Sequence, residues 1–239
     1  MQTPNLSELQ QPISVYTSVL FILTTIFAYF YFQKIIKNAS GKYFTSIIFG
    51  IVVWLILQSS LAQKGFYQDT FAMPPRFPLA IGIPFLVIIG LFVTQKGKKF
   101  IDSLSLKMLT YLHIVRIPVE IVLFLLFLEK QVPQLMTFEG RNFDILAGIS
   151  APIMAYLVFE KQLASKKLLL IWNFIGLALL LNIIINAILS APTLFQQFAF
   201  EQPNVAILKF PIVWLPSFIV PVVLLSHLVA IRRLLADKE

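Results

Sequence analysis

Residues 168–189 read LLLIWNFIGLALLLNIIINAIL, an apolar run without a single Asp, Glu, Lys or Arg. A run of about 20 apolar residues is long enough to cross the hydrocarbon core of a bilayer as an α-helix. The whole chain shares this character, with 58% hydrophobic residues, 13% charged residues and a mean hydropathy of +0.85. Soluble proteins contain about 45–50% apolar residues. We therefore predict an all-α polytopic membrane protein that forms one membrane domain over residues 1–239.

Apolar runs of this kind occur seven times, which predicts seven transmembrane helices. They lie at about 13–33, 43–62, 77–94, 108–128, 144–160, 168–189 and 210–231. The first run lacks the basic start and small-residue cleavage site of a signal peptide and is expected to stay in the protein. The loops on one side carry thirteen Lys and Arg residues, including Lys42 and Lys238, against five on the other. Because cytoplasmic loops retain positive charge, the N-terminus is predicted outside and the C-terminus inside.

Two parts of the chain resemble each other, which predicts an internal duplication. AYFYFQK at Ala28 to Lys34 matches AYLVFEK at Ala155 to Lys161. The matches continue in Ala39, Ser40 and Lys42 against Ala164, Ser165 and Lys167, and in Arg76-Phe77-Pro78 against Lys209-Phe210-Pro211. We predict a parallel 3+1+3 repeat, with repeat one at about 13–94, a linker helix at about 108–128 and repeat two at about 144–231.

This layout resembles that of SWEET-type sugar facilitators and PnuC-type vitamin transporters, and in outline that of seven-helix receptors. The resemblance implies a solute path near mid-membrane at the repeat interface. An opsin-like pigment is excluded because residues 210–231 contain no lysine for a Schiff base. The absence of cysteine excludes disulfides, cysteine-ligated zinc and iron–sulfur clusters. The net charge of +8 falls mostly in the predicted inner loops, which favours contact with lipid headgroups over nucleic-acid binding.

The fourth run carries the strongest chemical signal. His113, Arg116 and Glu120 lie within about 60° of one another on one helical face. A charge in mid-membrane costs about 3 kcal/mol or more unless it is paired or hydrated. Two interpretations follow: Arg116 and Glu120 form an internal ion pair, or the face lines a cavity where Arg116 holds an anionic group and Glu120 accepts a proton or a cation. Pro118 predicts a kink between them and frees the carbonyl of Ile114.

The two histidines are predicted to lie at similar depth near the inner side. His113 and His227 would therefore be able to ligate a haem b or one transition metal, although no cofactor is the primary expectation. A hydrogen-bonded histidine between helices is the structural alternative.

Weaker candidates come from the other runs. Asn182 and the proline-rich segment with Trp214 and Ser217 are further candidates for solute contacts. Glu139, Arg141 and Asp144 form the densest outer polar cluster and predict a vestibule; the alternative is that Asp144, or the neighbouring Asn142, caps the next helix.

The function that these patterns favour is transport of a small solute or ion. A receptor-like sensory or partner-binding protein is the alternative, and a haem- or metal-dependent redox protein is the third. We do not expect an enzyme. The expected partners are the lipid bilayer and the solute, with no nucleic acid, in a bacterial inner membrane; the oligomeric state is left open.

Overall fold

The structure is a computed structural model that describes residues 4–39, 43–70 and 72–236. Ser40, Lys42 and Lys238, which entered the repeat and the charge count, lie outside the described residues. Within these ranges the chain is all-helical and contains no strand. The helices are α1 (Val15–Ala39), α2 (Phe44–Gln63), α3 (Pro78–Val93), α4 (Gln95–Ser103), α5 (Leu106–Leu112), α6 (Arg116–Leu128), α7 (Asp144–Ala155), α8 (Lys166–Ser190) and α9 (Val220–Ala236).

Five helical segments of the described chain are long and apolar enough to cross a membrane. They are Val15–Ala39, Phe44–Gln63, Leu106–Leu128, Lys166–Ser190 and Leu215–Ala236. These segments confirm the prediction of an all-α protein with membrane-length helices. Seven spans, the orientation and the bacterial inner membrane stay predictions.

The two other predicted spans have a different form. α3 has 16 residues and is followed, after a 94° bend, by α4. The bend falls at Thr94, whose hydroxyl accepts a hydrogen bond from the backbone N–H of Gly97 and so begins a new helix. α7 has 12 residues and continues into a five-residue π turn, Tyr156–Glu160. At 1.5 Å per residue these two helical stretches reach about 24 and 26 Å, less than the hydrocarbon core of about 30 Å.

The prolines explain where helices lose their regular form. A 3-10 turn, His113–Val115, joins α5 to α6, one turn before Pro118. Pro216 lies within a second π turn, Leu215–Ile219, and Pro221 follows it in α9. Pro221 has no N–H for the carbonyl of Ser217, and the indole Nε1 of Trp54 on α2 donates to that carbonyl at 3.0 Å instead.

The centre of the bundle is formed by α6, α7, α8 and α9. α9 is largely buried, whereas α2 lies at the periphery with Gln58 and Ala62 as its buried residues. In the middle of α2, between Phe49 and Leu57, the exposed side chains are apolar and include Val53 and Ile56. An apolar outer surface is what lipid contact requires.

Polar contacts close the two ends of the bundle. At one end, Arg232 forms a two-point ion pair with Asp102, with N–O distances of 3.0 and 3.1 Å, and Lys107 pairs with Glu160. At the other end, the N-terminal segment is held by Lys209, as described below. The distribution of Lys and Arg in the sequence predicts that the elements joined at each end lie on the same side of the membrane.

The duplication receives no support from the helices that it would relate. α1 is a continuous helix of 25 residues, whereas its counterpart α7 has 12 before the π turn. Phe77-Pro78 leads directly into α3, whereas Phe210-Pro211 leads into turns and regular helix resumes at Val220. The 3+1+3 repeat therefore stays a prediction from the sequence.

Candidate functional site

The start of α6 meets the start of α7 through an ion pair that the sequence spacing does not show. Nε of Arg116 lies 3.1 Å from Oδ2 of Asp144, and both side chains are almost fully buried. This distance is that of an ion pair. The geometry is not that of a hydrogen bond, since Nε of Arg116 has no hydrogen-bond partner among the described residues. Nη2 of Arg116 also donates to the backbone carbonyl of Gly176 on α8 at 3.0 Å. Arg116 thus joins α6, α7 and α8.

Glu120 lies one turn further along α6 and has a neutral partner. Nδ2 of Asn142 donates to Oε1 of Glu120 at 2.6 Å and to the carbonyl of Met136 at 3.0 Å. Oδ1 of Asn142 accepts from the backbone N–H of Asp144 at 3.0 Å, so this side chain supports the first turn of α7. Asn142 therefore contacts both Glu120 and Asp144. We call these two residues the acid pair.

Each member of the acid pair has one oxygen left over. Glu120 is 1% exposed and Asp144 is 5% exposed. Oε2 of Glu120 and Oδ1 of Asp144 are buried and have no hydrogen-bond partner among the described residues. Buried polar atoms are nearly always hydrogen-bonded, so two such oxygens on neighbouring acids require an explanation.

A cavity of about 70 Å³ lies beside the acid pair. Its wall is apolar apart from Glu120 on α6 and Asp144 on α7, and the rest comes from α3, α6, α8, the segment from Leu215 to Val220 and residues between the helices. Phe77, which directly precedes α3, and Phe85 within α3 are among the lining residues. At least about 10–15 Å³ is needed for one water-sized group, so this volume accepts a few such groups. The cavity suits a small ligand with an apolar body.

The two histidines pack against each other on the far side of Arg116. The rings of His113 and His227 stack with centroids 4.0 Å apart and an angle of 27°. Asn173 donates to the carbonyl of Leu169, so its Oδ1 faces Nδ1 of His227 at 2.9 Å and that nitrogen carries the proton. His227 is thus a hydrogen-bonded histidine between α8 and α9.

Gly176 makes this packing possible. A Cβ atom at this position would lie 2.5 Å from Cε1 and 2.9 Å from Nε2 of His227. It would also lie 3.5 Å from Nη1 of Arg116. Because the imidazole is a rigid ring, a side chain on Gly176 would displace His227 and disturb Arg116.

The histidine pair does not fit a haem. Axial ligation places the iron and its macrocycle between two rings, each of which directs a nitrogen at the metal. The rings of His113 and His227 instead lie face to face at 4.0 Å, which leaves no space for a macrocycle between them. In the part of the chain that the structure describes, no cluster of three or more His, Cys, Asp or Glu residues is placed to hold a metal ion.

Three further predicted residues make their hydrogen bonds away from the cavity. Nδ2 of Asn182 donates to the carbonyl of Arg141 at 2.8 Å. Nε1 of Trp214 donates to Leu55 and Ser59 of α2, both at 3.1 Å. The hydroxyl of Ser217 donates to the carbonyl of Val213 at 2.7 Å. None of the three is among the described residues that line the cavity.

The predicted outer vestibule is divided by the structure. Glu139 and Arg141 are exposed, whereas Asp144 is buried beside Arg116. The sequence predicted that His113, Arg116 and Glu120 share one helical face. It assigned Asp144 to the separate outer polar cluster. The sequence offered Asn142 or Asp144 as the cap of α7; the helix begins after Phe143 without a side-chain cap, and Asn142 accepts from the N–H of Asp144 instead. The contact of Asn142 with Glu120 was missed. Gly176 stands out in the sequence as a glycine within a run of bulky residues. This pattern does not identify the residues that Gly176 contacts.

A family model described as "Domain of unknown function (DUF8737)" matches residues 75–235, so the chain belongs to that family. The match includes every residue of the cavity wall, Arg116 and both histidines, and excludes α1 and α2. No curated protein and no solved structure matches the chain.

Proposed function

We propose that this member of the family carries a small solute or ion across the membrane by way of the cavity beside the acid pair. The observation that carries the proposal is the position of Glu120 and Asp144. Two carboxylates line an otherwise apolar cavity among membrane-length helices. Each also has one oxygen without a partner within the described residues. Ionisable groups at such depth typically mark a substrate or ion path.

A purely structural role accounts for only part of this arrangement. Arg116 and Asp144 balance each other and tie α6 to α7. Glu120 adds a second acid, which accepts a hydrogen bond from the neutral amide of Asn142. A charge in mid-membrane costs about 3 kcal/mol or more without compensation. Packing by the Arg116–Asp144 ion pair does not explain why a second buried acid, Glu120, is present. A role of Glu120 in binding a ligand does explain it.

The test is flux into proteoliposomes that contain the purified chain. The panel consists of radiolabelled short alkylamines, short carboxylates, amino acids and neutral polyols. We expect at least one class to enter faster than into protein-free vesicles. Glu120→Gln, which keeps the shape of the side chain, and Arg116→Ala should reduce this flux to the protein-free level.

Glu201→Gln is the matched control, because it makes the same chemical change at an exposed position outside the predicted site residues. It should leave the flux unchanged. Size-exclusion profiles would confirm that each variant is folded. Unaltered flux in both Glu120→Gln and Arg116→Ala would contradict the proposal, as would a panel in which no solute crosses. Ligand binding without flux would instead support the receptor-like alternative.

A further inference from the structure

We propose that the ligand of this cavity is a small organic monocation, such as an alkylammonium ion, and that it binds in exchange for a proton on Glu120. The inference that this ligand is transported rests on the proposed function. The chemical class of the ligand is argued from the local geometry of the site. Charge, hydrogen-bonding capacity and size each restrict the ligand.

The charge of the site favours a cation. With Arg116 and both acids ionised, one positive and two negative charges give a formal net charge of −1. Arg116 is paired with Asp144 and donates to the carbonyl of Gly176. Its Nη1 has no hydrogen-bond partner among the described residues, but Arg116 is not one of the residues that line the cavity. An anionic ligand would meet two carboxylates and would have to compete with Asp144 for the guanidinium. A monocation neutralises the site instead.

The hydrogen-bonding capacity of the site favours N–H donors. Oε2 of Glu120 and Oδ1 of Asp144 are acceptors without a partner in the described part of the chain. Ionised carboxylates only accept hydrogen bonds, and ammonium groups only donate them. An alkylammonium ion supplies these donors once the two carboxylates, whose free oxygens are buried, turn toward the cavity that they line.

The wall of the cavity restricts the rest of the ligand. The volume of about 70 Å³ restricts the ligand to a few non-hydrogen atoms. The wall away from the acids is apolar, which suits a hydrocarbon body. Phe77 and Phe85 are among the lining residues, and aromatic rings attract organic cations.

Burial of Glu120 explains the exchange with a proton. The charged and titratable residues around it are Arg116 on its own helix and Asp144 on α7; α3, α8 and the segment around Leu215 contribute apolar residues to the cavity wall. His113 and His227 lie beyond Arg116. Since Asp144 already neutralises Arg116, an ionised Glu120 is left without a counter-charge in an apolar wall, which is unfavourable. Either a proton or the ligand's cation removes this cost, and each bound cation releases one proton.

The test is binding to the full-length protein in detergent or nanodiscs. tert-Butylammonium and tert-butanol have the same shape and number of heavy atoms and differ in charge and donor groups. We expect the cation to bind at least about tenfold more tightly and to release about one proton in weakly buffered solution. Glu120→Gln should reduce its affinity to that of tert-butanol, whereas Glu201→Gln should not.

The comparison within the wild-type protein does not depend on the folding of any variant. Equal affinity for the two compounds would overturn the proposal, as would a preference that survives in Glu120→Gln. Binding without proton release would overturn the exchange. If these tests fail while another solute class crosses the membrane, transport stands and the ligand class is wrong. If the cation binds and no solute crosses, the cation site stands and transport is wrong.

Discussion

At the residue scale, the energetics of buried charge govern the centre of the bundle. Arg116 faces Asp144 across α6 and α7, and Glu120 relies on the amide of Asn142. Removing one partner of a buried ion pair typically costs about 3–5 kcal/mol, because the other charge remains. Arg116→Ala therefore tests structure and function together, and Glu120→Gln is the cleaner functional variant.

Lys209 provides a pH-dependent test of the N-terminal contact, outside the membrane-length segments. Its Nζ donates to the carbonyls of Glu8 and Gln11, at 2.5 and 2.7 Å, and to Oε1 of Gln131 at 2.6 Å. Burial lowers the pKa of Lys209 to about 8, and the Glu8 carboxylate acts in the opposite direction.

Between this pKa and the ordinary lysine value of 10.5, the unfolded chain binds more protons than the folded chain. The free energy of unfolding is therefore expected to rise with pH across that window on account of Lys209. Thermal midpoints measured against pH in detergent would show the rise, and Lys209→Met should remove this contribution. Lys64→Met, at an exposed lysine, should keep it. An equal slope in the wild type and Lys209→Met would contradict the assignment.

The sequence could predict part of this chemistry. His113, Arg116 and Glu120 share one face because their spacing fixes their directions on a single helix. The partner of Arg116 lies on another helix, and its identity depends on how deep α7 enters the bundle and how it is rotated. Neither quantity follows from spacing within one element. Asp144 was consequently assigned to an outer vestibule.

At the element scale, backbone groups freed by proline are taken up by neighbouring helices. Pro221 frees the carbonyl of Ser217, and Trp54 donates to it from α2. Interhelical hydrogen bonds of this kind contribute about 0.6 kcal/mol on average in membrane proteins. The sequence could not name the donor, since Trp54 and Ser217 lie far apart in the chain.

Gly176→Ala tests the packing of α8 against α9. The new Cβ would lie 2.5 Å from Cε1 of His227, a ring that is fully buried and stacked on His113. Overpacking of this kind typically destabilises a protein by about 1–3 kcal/mol. We expect a lower thermal midpoint, even though alanine favours helix over glycine by roughly 0.5–1 kcal/mol.

Gly50→Ala is the matched control, since the described residues place nothing within 4 Å of a Cβ at this position of α2. It should leave the thermal midpoint unchanged or raise it slightly. A drop of the same size in both variants would show that the histidine contact is not the cause.

At the scale of the whole molecule, composition determined the class because the bilayer demands apolar residues over the whole outer surface. The number of spans depends on local events that composition does not record. The Thr94 cap turns the chain by 94° after α3, and the π turn Tyr156–Glu160 follows a short α7. These local features leave five segments of full membrane length among the described residues, whereas the sequence predicted seven.

The most direct measurement of the central claim is the uptake of methylguanidinium into proteoliposomes. This small organic monocation carries N–H donors and stays protonated at neutral pH, so it does not readily cross a lipid bilayer unaided. The account predicts uptake with the wild-type chain and with Glu201→Gln, and uptake at the protein-free level with Glu120→Gln. Equal uptake with Glu120→Gln and the wild type, or no uptake with the wild type, would contradict it.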